Sequence, residues 1–373
     1  MLNEPLVDLC AVPKMSQARL RNLLVRFKSP EAVFAAPESE LTEVKGITQE
    51  IARGIRLYRR SPDTASRITR AREQDCHVTS FLDSDYPFNL RNVDHAPPVL
   101  FTLGRIEEQD KLALAIIGTR RADPYGMMVA QRFGRGLAEH GVTVVSGLAR
   151  GIDTAAHIGA LAGKGRTIAV LGCGVDVFYP PENRKLYDQI AASGAVVSEF
   201  SFGTQPEAFH FPVRNRVISG LSMAVLAVEA RNSSGVLNTV RWALDQGREV
   251  LAVPGTITAD TSLGTNDLIK DGARPVTRLE DLLEVLKVTP RQDGSQTKSG
   301  LTGRRAGQPE VSAADQEVLA QLSENPTHID DLALKTGKPM SLLLSHLLDL
   351  EIRGIIRQLP GMTFVREYAG EGP

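Results

Sequence analysis

Six short apolar runs, most of them followed by a stretch long enough for a helix, constrain this chain more than anything else in it. They are LALAII (112–117), VTVVS (142–146), TIAVL (167–171), AVVS (195–198), AVLAV (224–228) and EVLAV (249–253). Runs that are continuously apolar, rather than alternating, suit a parallel sheet covered on both faces. The segments near 124–140, 151–163, 183–193 and 235–247 have the length of right-handed crossover helices. The expected fold is therefore α/β, a doubly wound, Rossmann-like parallel sheet.

The flanks differ from this middle, which spans 76–289. Residues 1–75 hold 13 basic and 10 acidic side chains. There Leu20, Leu23, Leu24 and Phe27, then Ile51, Ile55 and Tyr58, recur at helical spacing. With the Val44–Gly46–Ile47 turn they resemble a SAM-like or helix-hairpin-helix module. That turn reads either as a backbone contact to a DNA phosphate or as plain packing. Residues 290–308 carry four glycines, four bases and one acid with almost nothing apolar, the composition of a flexible basic linker. Residues 309–373 give helix signals near 312–323, 328–336 and 340–353, then a Pro360-Gly361 hairpin, which describes a winged helix. Its would-be recognition helix carries Asp349 and Glu351 against Arg353, and phosphates repel such a face. A packed or protein-docking module fits better than a reader of duplex DNA.

Composition excludes several classes. Lys and Arg number 43 against 44 Asp and Glu, so no global field attracts polyanions. No apolar run approaches the ~20 residues that span a bilayer. The start lacks the basic region of a secretory signal, and Cys10, Cys76 and Cys173 are too few for a disulfide scaffold. A cytoplasmic protein is expected.

Ligands of doubly wound sheets sit beyond the carboxyl ends of the strands. Here small or glycine-bearing turns follow strand after strand: Gly118-Thr119-Arg120, Ser146-Gly147 through Gly151, Gly172-Cys173-Gly174, Ser198-Glu199 and Pro254-Gly255. Such turns let a backbone approach an anion closely. Arg120, Arg121, Arg150, Lys164, Arg184, Lys185, Arg214, Arg216 and Arg231 lie in or near them. A row of cations suits a polymer with regular charges better than a mononucleotide. Aromatic residues are 5%, too few for a dense stacking platform, but Phe209 and Phe211 flank His210 just before Arg214 and form one local stack. The dinucleotide fingerprint and the P-loop are incomplete, the latter because Ile158 stands at its opening glycine. Neither a G-x-S-x-G elbow nor an H-E-x-x-H or C-x-x-C motif occurs. His157 and Cys173 read as packing and turn residues. No catalytic set, metal or cofactor is expected.

The stretches AIIGTRRADPYG, VVSGLARGIDTAAHIGAL, TIAVLGCGVDVFYPPENRKLY, FPVRNRVISGLS, VLAVEARNSSGVLNTVRWAL and GTNDLIKDGA resemble the DNA-processing protein A (Smf) family of bacterial transformation proteins. The resemblance implies a non-catalytic protein that binds single-stranded DNA, forms a homodimer and hands the strand to the RecA recombinase. It implies that Gly118-Thr119-Arg120 and Arg214-Asn215-Arg216 line the DNA groove and that the Tyr179–Asn183 loop, with Arg184 and Lys185, extends it. Leu268 and Ile269 would lie on a self-association helix; apart from the resemblance, the acidic face of the C-terminal module suits a protein partner. Val236 and Val240 depart from the family's serine and alanine, which removes a hydroxyl donor. The alternative is a nucleotide N-glycosidase of the lysine-decarboxylase-like (LOG) type. Its P-G-G-x-G-T motif is broken here, where Pro254-Gly255 continues as Thr256-Ile257. A transcription regulator acting through residues 309–373 is a third class, opposed by the acidic helix.

Overall fold

The computed structural model describes residues 2–231, 234–289, 313–323, 326–352, 355–359 and 361–366. The expected linker, 290–308, lies outside them. The chain divides between residues 292 and 293 into two compact units.

The first unit begins with six helices, α1 (Glu4–Ala11), α2 (Gln17–Phe27), α3 (Pro30–Ala35), α4 (Glu38–Thr42), α5 (Gln49–Arg56) and α6 (Pro62–Glu73). Ser16, Ser29, Thr48 and Ser61 each cap a helix start with a side-chain oxygen, which satisfies an amide the first turn leaves open. The strands that follow are β1 (His77–Ser80), β2 (Val99–Gly104), β3 (Ala113–Gly118), β4 (Thr143–Ser146), β5 (Thr167–Val170), β6 (Ala195–Ser198), β7 (Ala224–Glu229), β8 (Glu249–Ala252) and β9 (Arg274–Pro275). They form one sheet in the order β1-β2-β6-β5-β4-β3-β7-β8-β9. From β6 to β9 all neighbours are parallel, and β1 and β2 add an antiparallel margin. The expected parallel sheet is present, and it carries this extra edge.

Between the strands run α7 (Phe88–Arg91), α8 (Pro124–Glu139), α9 (Ile152–Ala162), α10 (Arg184–Ser193), α11 (His210–Leu221), α12 (Gly235–Asp245), α13 (Asp260–Lys270) and α14 (Leu279–Val285). The period-2 geometry of a strand sorts neighbouring residues to opposite faces. Leu114, Ile116 and Val144 pack under α8, α9 and α14, whereas Ala115, Ile117 and Val145 pack under α11 and α12. Toward β6, Phe101 and Val196 share a third cluster with α10 and with Leu6, Leu23 and Ile55 of the N-terminal helices. Those helices thus close over one end of the sheet.

The second unit contains α15 (Ala313–Ala320), α16 (Ile329–Thr336), α17 (Met340–Ile352) and a three-stranded sheet. Its strands are β10 (Thr327–His328), β11 (Ile356–Leu359) and β12 (Thr363–Arg366), in the order β10-β12-β11. Val318, Leu332, Leu343, Leu347 and Phe364 make its own core. This is a winged helix, and β11 and β12 pair on either side of the expected Pro360-Gly361 turn, of which Pro360 lies outside the described residues. Among the described residues no helix is long and apolar enough to cross a membrane.

Candidate nucleic-acid interface

Strand β3 is paired with β4 on one side and β7 on the other, so the winding of the sheet reverses there. Helices leave such a switch point in opposite directions, and a crevice opens between the strand ends. A cleft of about 670 Å³ occupies that place. Its walls are the Gly118–Arg121 turn, the start of α11, Arg231, and residues between Ser234 and Thr239 at the head of α12.

The centre of the site is a stack on Phe211. The Arg120 guanidinium lies 5.0 Å from the centre of its ring, that of Arg214 lies 5.8 Å away, and the Tyr179 ring centre is at 5.6 Å. Arg120 is exposed, but Arg214 is only 5% accessible. Arg214 Nη1 donates to the carbonyls of Gly147 (2.8 Å) and Val170, and its Nε donates to Asn215 Oδ1 (3.1 Å). A β-carbon on Gly147 would stand 2.6 Å from Arg214 Nη1, so only glycine lets the guanidinium lie on the β4 turn. Burial, with Arg120 close by, brings the Arg214 pKa down to about 10.

Asp153 is a residue that sequence reasoning missed. Its Oδ2 accepts the amides of Gly147 (3.2 Å) and Ala149 (3.4 Å). Two amides of the Ser146–Gly151 turn, those of Gly147 and Ala149, are therefore already occupied by a carboxylate of the protein. Burial pushes the Asp153 pKa up to about 6, opposed by the charge of Arg214. The clue was present in GIDTAAH: an acid in the first turn of a helix that follows a glycine turn faces amides. Ser146 Oγ donates inward to the Ile116 carbonyl (2.6 Å), and Gly151, at a φ of +76°, forms the entry to α9.

The other expected residues divide into groups. Thr119 is held by its amide, which donates to the Glu229 carbonyl (3.0 Å). Asn215 Nδ2 reaches Asn238 Oδ1 (3.3 Å) across the cleft wall. Gly172 lies against Phe211 and accepts a hydrogen bond from His210 Nδ1 (3.1 Å). Arg184 and Lys185 start α10, and Arg184 stacks 4.2 Å above Phe178.

Three expected positions stand elsewhere. Arg216 is corrected: its guanidinium makes a bidentate pair with buried Glu199 (2.6 and 2.7 Å), on the opposite flank of α11. Lys164 follows the C-terminus of α9, an 11-residue helix, and so lies at the other edge of the sheet, about 16 Å along the helix axis. Gly174 is buried, and its amide donates to the Thr204 carbonyl (2.9 Å).

Leu268 and Ile269 are half-buried on α13, with Leu268 against the sheet core. Burial pushes the Cys173 thiol up to about 11, so it is not a thiolate at neutral pH. His157, brought down to about 3 by burial, bonds to Thr167 Oγ1 (2.7 Å) within the core. Among the described residues no group of three metal-ligating side chains occurs.

A doubly wound sheet with a cationic, aromatic cleft at its switch point and a separate winged helix defines a class of multi-module α/β proteins. Within that class the chain belongs to the DNA recombination-mediator protein A family, whose model matches residues 77–287. The winged helix domain of the same family matches residues 303–362. Protein Smf of Synechocystis sp. is 33% identical over 93% of this chain and 94% of its own length. Protein Smf of Escherichia coli is 40% identical over 78% of this chain and 77% of its own. Among solved structures, DNA processing protein A of Streptococcus pneumoniae superposes with a TM-score of 0.67 at 33% identity, over 76% of this chain and 98% of that one. DNA processing protein A of Helicobacter pylori, described for its single-stranded DNA binding mode, gives a TM-score of 0.52 at 29% identity over 57% and 95%.

Proposed function

We propose that this chain binds single-stranded DNA in the cleft at the β3–β7 switch point and serves DNA recombination during transformation without catalysing a reaction. Gly118, Thr119, Arg120, Phe211, Arg214 and Asn215 make the central contacts, and Arg184 and Lys185 extend them. The observation that carries the proposal is that two guanidiniums, those of Arg120 and Arg214, lie 5.0 and 5.8 Å from the centre of the Phe211 ring. An aromatic face takes any base, and guanidiniums take phosphate oxygens, so the pair suits a strand without regard to its sequence. The description of the Helicobacter pylori relative supports the choice of ligand. The proposal includes delivery of the strand to RecA, action as a homodimer through the α13 side, and a protein partner for the acidic winged helix. Nothing in the cleft favours the N-glycosidase alternative: Asp153 is the single carboxylate among the described lining residues, and it is bonded to two amides.

The test is titration of oligo-dT by the full chain at several salt concentrations. Arg120→Ala, at an exposed position, is expected to weaken binding about 10-fold or more. The slope of log affinity against log salt should also become shallower, by about 0.7 for each phosphate that Arg120 neutralises, with the thermal midpoint unchanged. A variant that titrates like the parent protein overturns the assignment.

A further inference from the structure

Phe209 is 63% accessible, the most exposed aromatic side chain among the described residues. It stands on the lip of the cleft, because Ala208 before it and Phe211 after it both line the cavity. The ring is propped rather than free. It meets His210 edge-on at 4.5 Å and 70°, and His210 in turn lies 4.1 Å from Phe200 and is anchored to the Gly172 carbonyl. Val213, one helical turn along α11, is 40% accessible. Together the two side chains make an apolar step outside the Arg120–Phe211–Arg214 stack.

We infer that Phe209 and Val213 form a second nucleobase platform, which receives a base of the single strand as it leaves the cleft. The inference rests on the single-strand reading above. Two observations select a base over other occupants. The step consists of two side chains, far less than the ~1,200 Å² that a stable protein interface buries. Glu207, two residues before Phe209, is exposed, and its negative charge disfavours phosphate there, which leaves the apolar step to the uncharged part of a nucleotide. Phe211 inside and Phe209 outside thus hold different bases of one strand.

The experiment compares the parent chain with Phe209→Ala, Phe209→Trp and Arg120→Ala, using fluorescence anisotropy on dT oligonucleotides of roughly 4 and roughly 20 nucleotides, lengths that bracket common single-strand sites. Phe209→Ala is expected to weaken the longer oligonucleotide about 5- to 10-fold, the low end of the range for one base–aromatic stack. It should leave the shorter one unchanged, and Phe209→Trp should restore binding. A strand of abasic deoxyribose units has nothing to stack and should bind Phe209→Ala and the parent equally. If Phe209→Ala holds the long strand normally while Arg120→Ala does not, the platform is wrong and the cleft stands. If neither variant weakens binding, the cleft itself is wrong. If Phe209→Ala changes only the oligomeric state, the residue belongs to a protein contact and the platform is overturned.

Discussion

The two flanks of α11 carry the same residue type in opposite circumstances. Arg214 and Arg216 are two positions apart and both are buried, at 5% and 8% accessibility. At 3.6 residues per turn they point to nearly opposite sides. Toward the N-terminal helices, Arg216 is matched by both oxygens of Glu199, whose carbonyl also accepts Gln17 Nε2 (3.3 Å) from α2. Toward the cleft, the hydrogen bonds of Arg214 end on neutral oxygens, and the Asp153 carboxyl acts on it through its charge, which is in place at neutral pH and lost as the pH falls through about 6. A buried arginine with a bidentate carboxylate is a structural element. One whose hydrogen bonds end on carbonyls at the wall of a cavity has charge left over for an anion that arrives from outside.

That contrast is broken first on the Glu199 side. Glu199→Ala leaves the Arg216 guanidinium buried and unpaired, which costs about 3–5 kcal/mol and is read as a lower urea midpoint. The fraction that remains folded should bind oligo-dT as the parent does. A folded Glu199→Ala protein that loses affinity like Arg120→Ala would show that the two flanks are not separate.

A smaller effect sharpens the cleft side. The Asp153 carboxyl has its pKa raised from 3.8 to about 6, so between those values the native protein holds a proton that the unfolded chain has released. By linkage, stability falls as pH rises through that window, by about 3 kcal/mol at ~1.4 kcal/mol per pH unit, and is level above it. Asp153→Asn keeps an acceptor for the two amides and loses the slope. Loss of the negative charge beside Arg214 also strengthens the site, so single-strand affinity should rise as the pH falls below about 6, and Asp153→Asn should bind more tightly than the parent at pH 7. A parent protein with pH-independent affinity from 5 to 7 would sever Asp153 from the site.

What the sequence made legible follows the same physics. The strands β3 to β8 were readable because burial on both faces demands uninterrupted apolar runs. The β1 strand, HVTS, is half-buried, short and antiparallel, and carries no such signal. Helix α11 was hidden for the opposite reason: Arg214 to Leu221 are all buried, so no polar stripe marks a helical period. In the sequence alone Arg214-Asn215-Arg216 is a run of three polar neighbours, expected along one groove. On a helix the first and third part company, so Arg214 lines the cleft with Arg120 and Phe211 while Arg216 turns to the other flank. Asp153 carries no mark of a phosphate site in the sequence, because a carboxylate competes with phosphate for the same amides.

The smallest effect concerns a third arginine, which tests whether pairing alone marks a structural role. Arg150, in the turn after β4, pairs with Glu182 ahead of α10, and the two side chains are 58% and 49% accessible. Hydrogen bonding to the carboxylate raises the Arg150 pKa and lowers that of Glu182, yet water and salt screen both groups. The same two loops are joined more firmly by buried Asn183, whose Nδ2 donates to the Leu148 carbonyl (3.0 Å) and to Thr154 Oγ1 (2.8 Å). Arg150→Ala should therefore leave the thermal midpoint unchanged within about a degree. Its oligo-dT affinity should fall less than that of Arg120→Ala, because Arg150 is already matched by a carboxylate that the strand must displace. A loss equal to that of Arg120→Ala would mean that an exposed partner does not withhold an arginine from the strand, and burial of the pair, as at Arg216, would then be the condition that does.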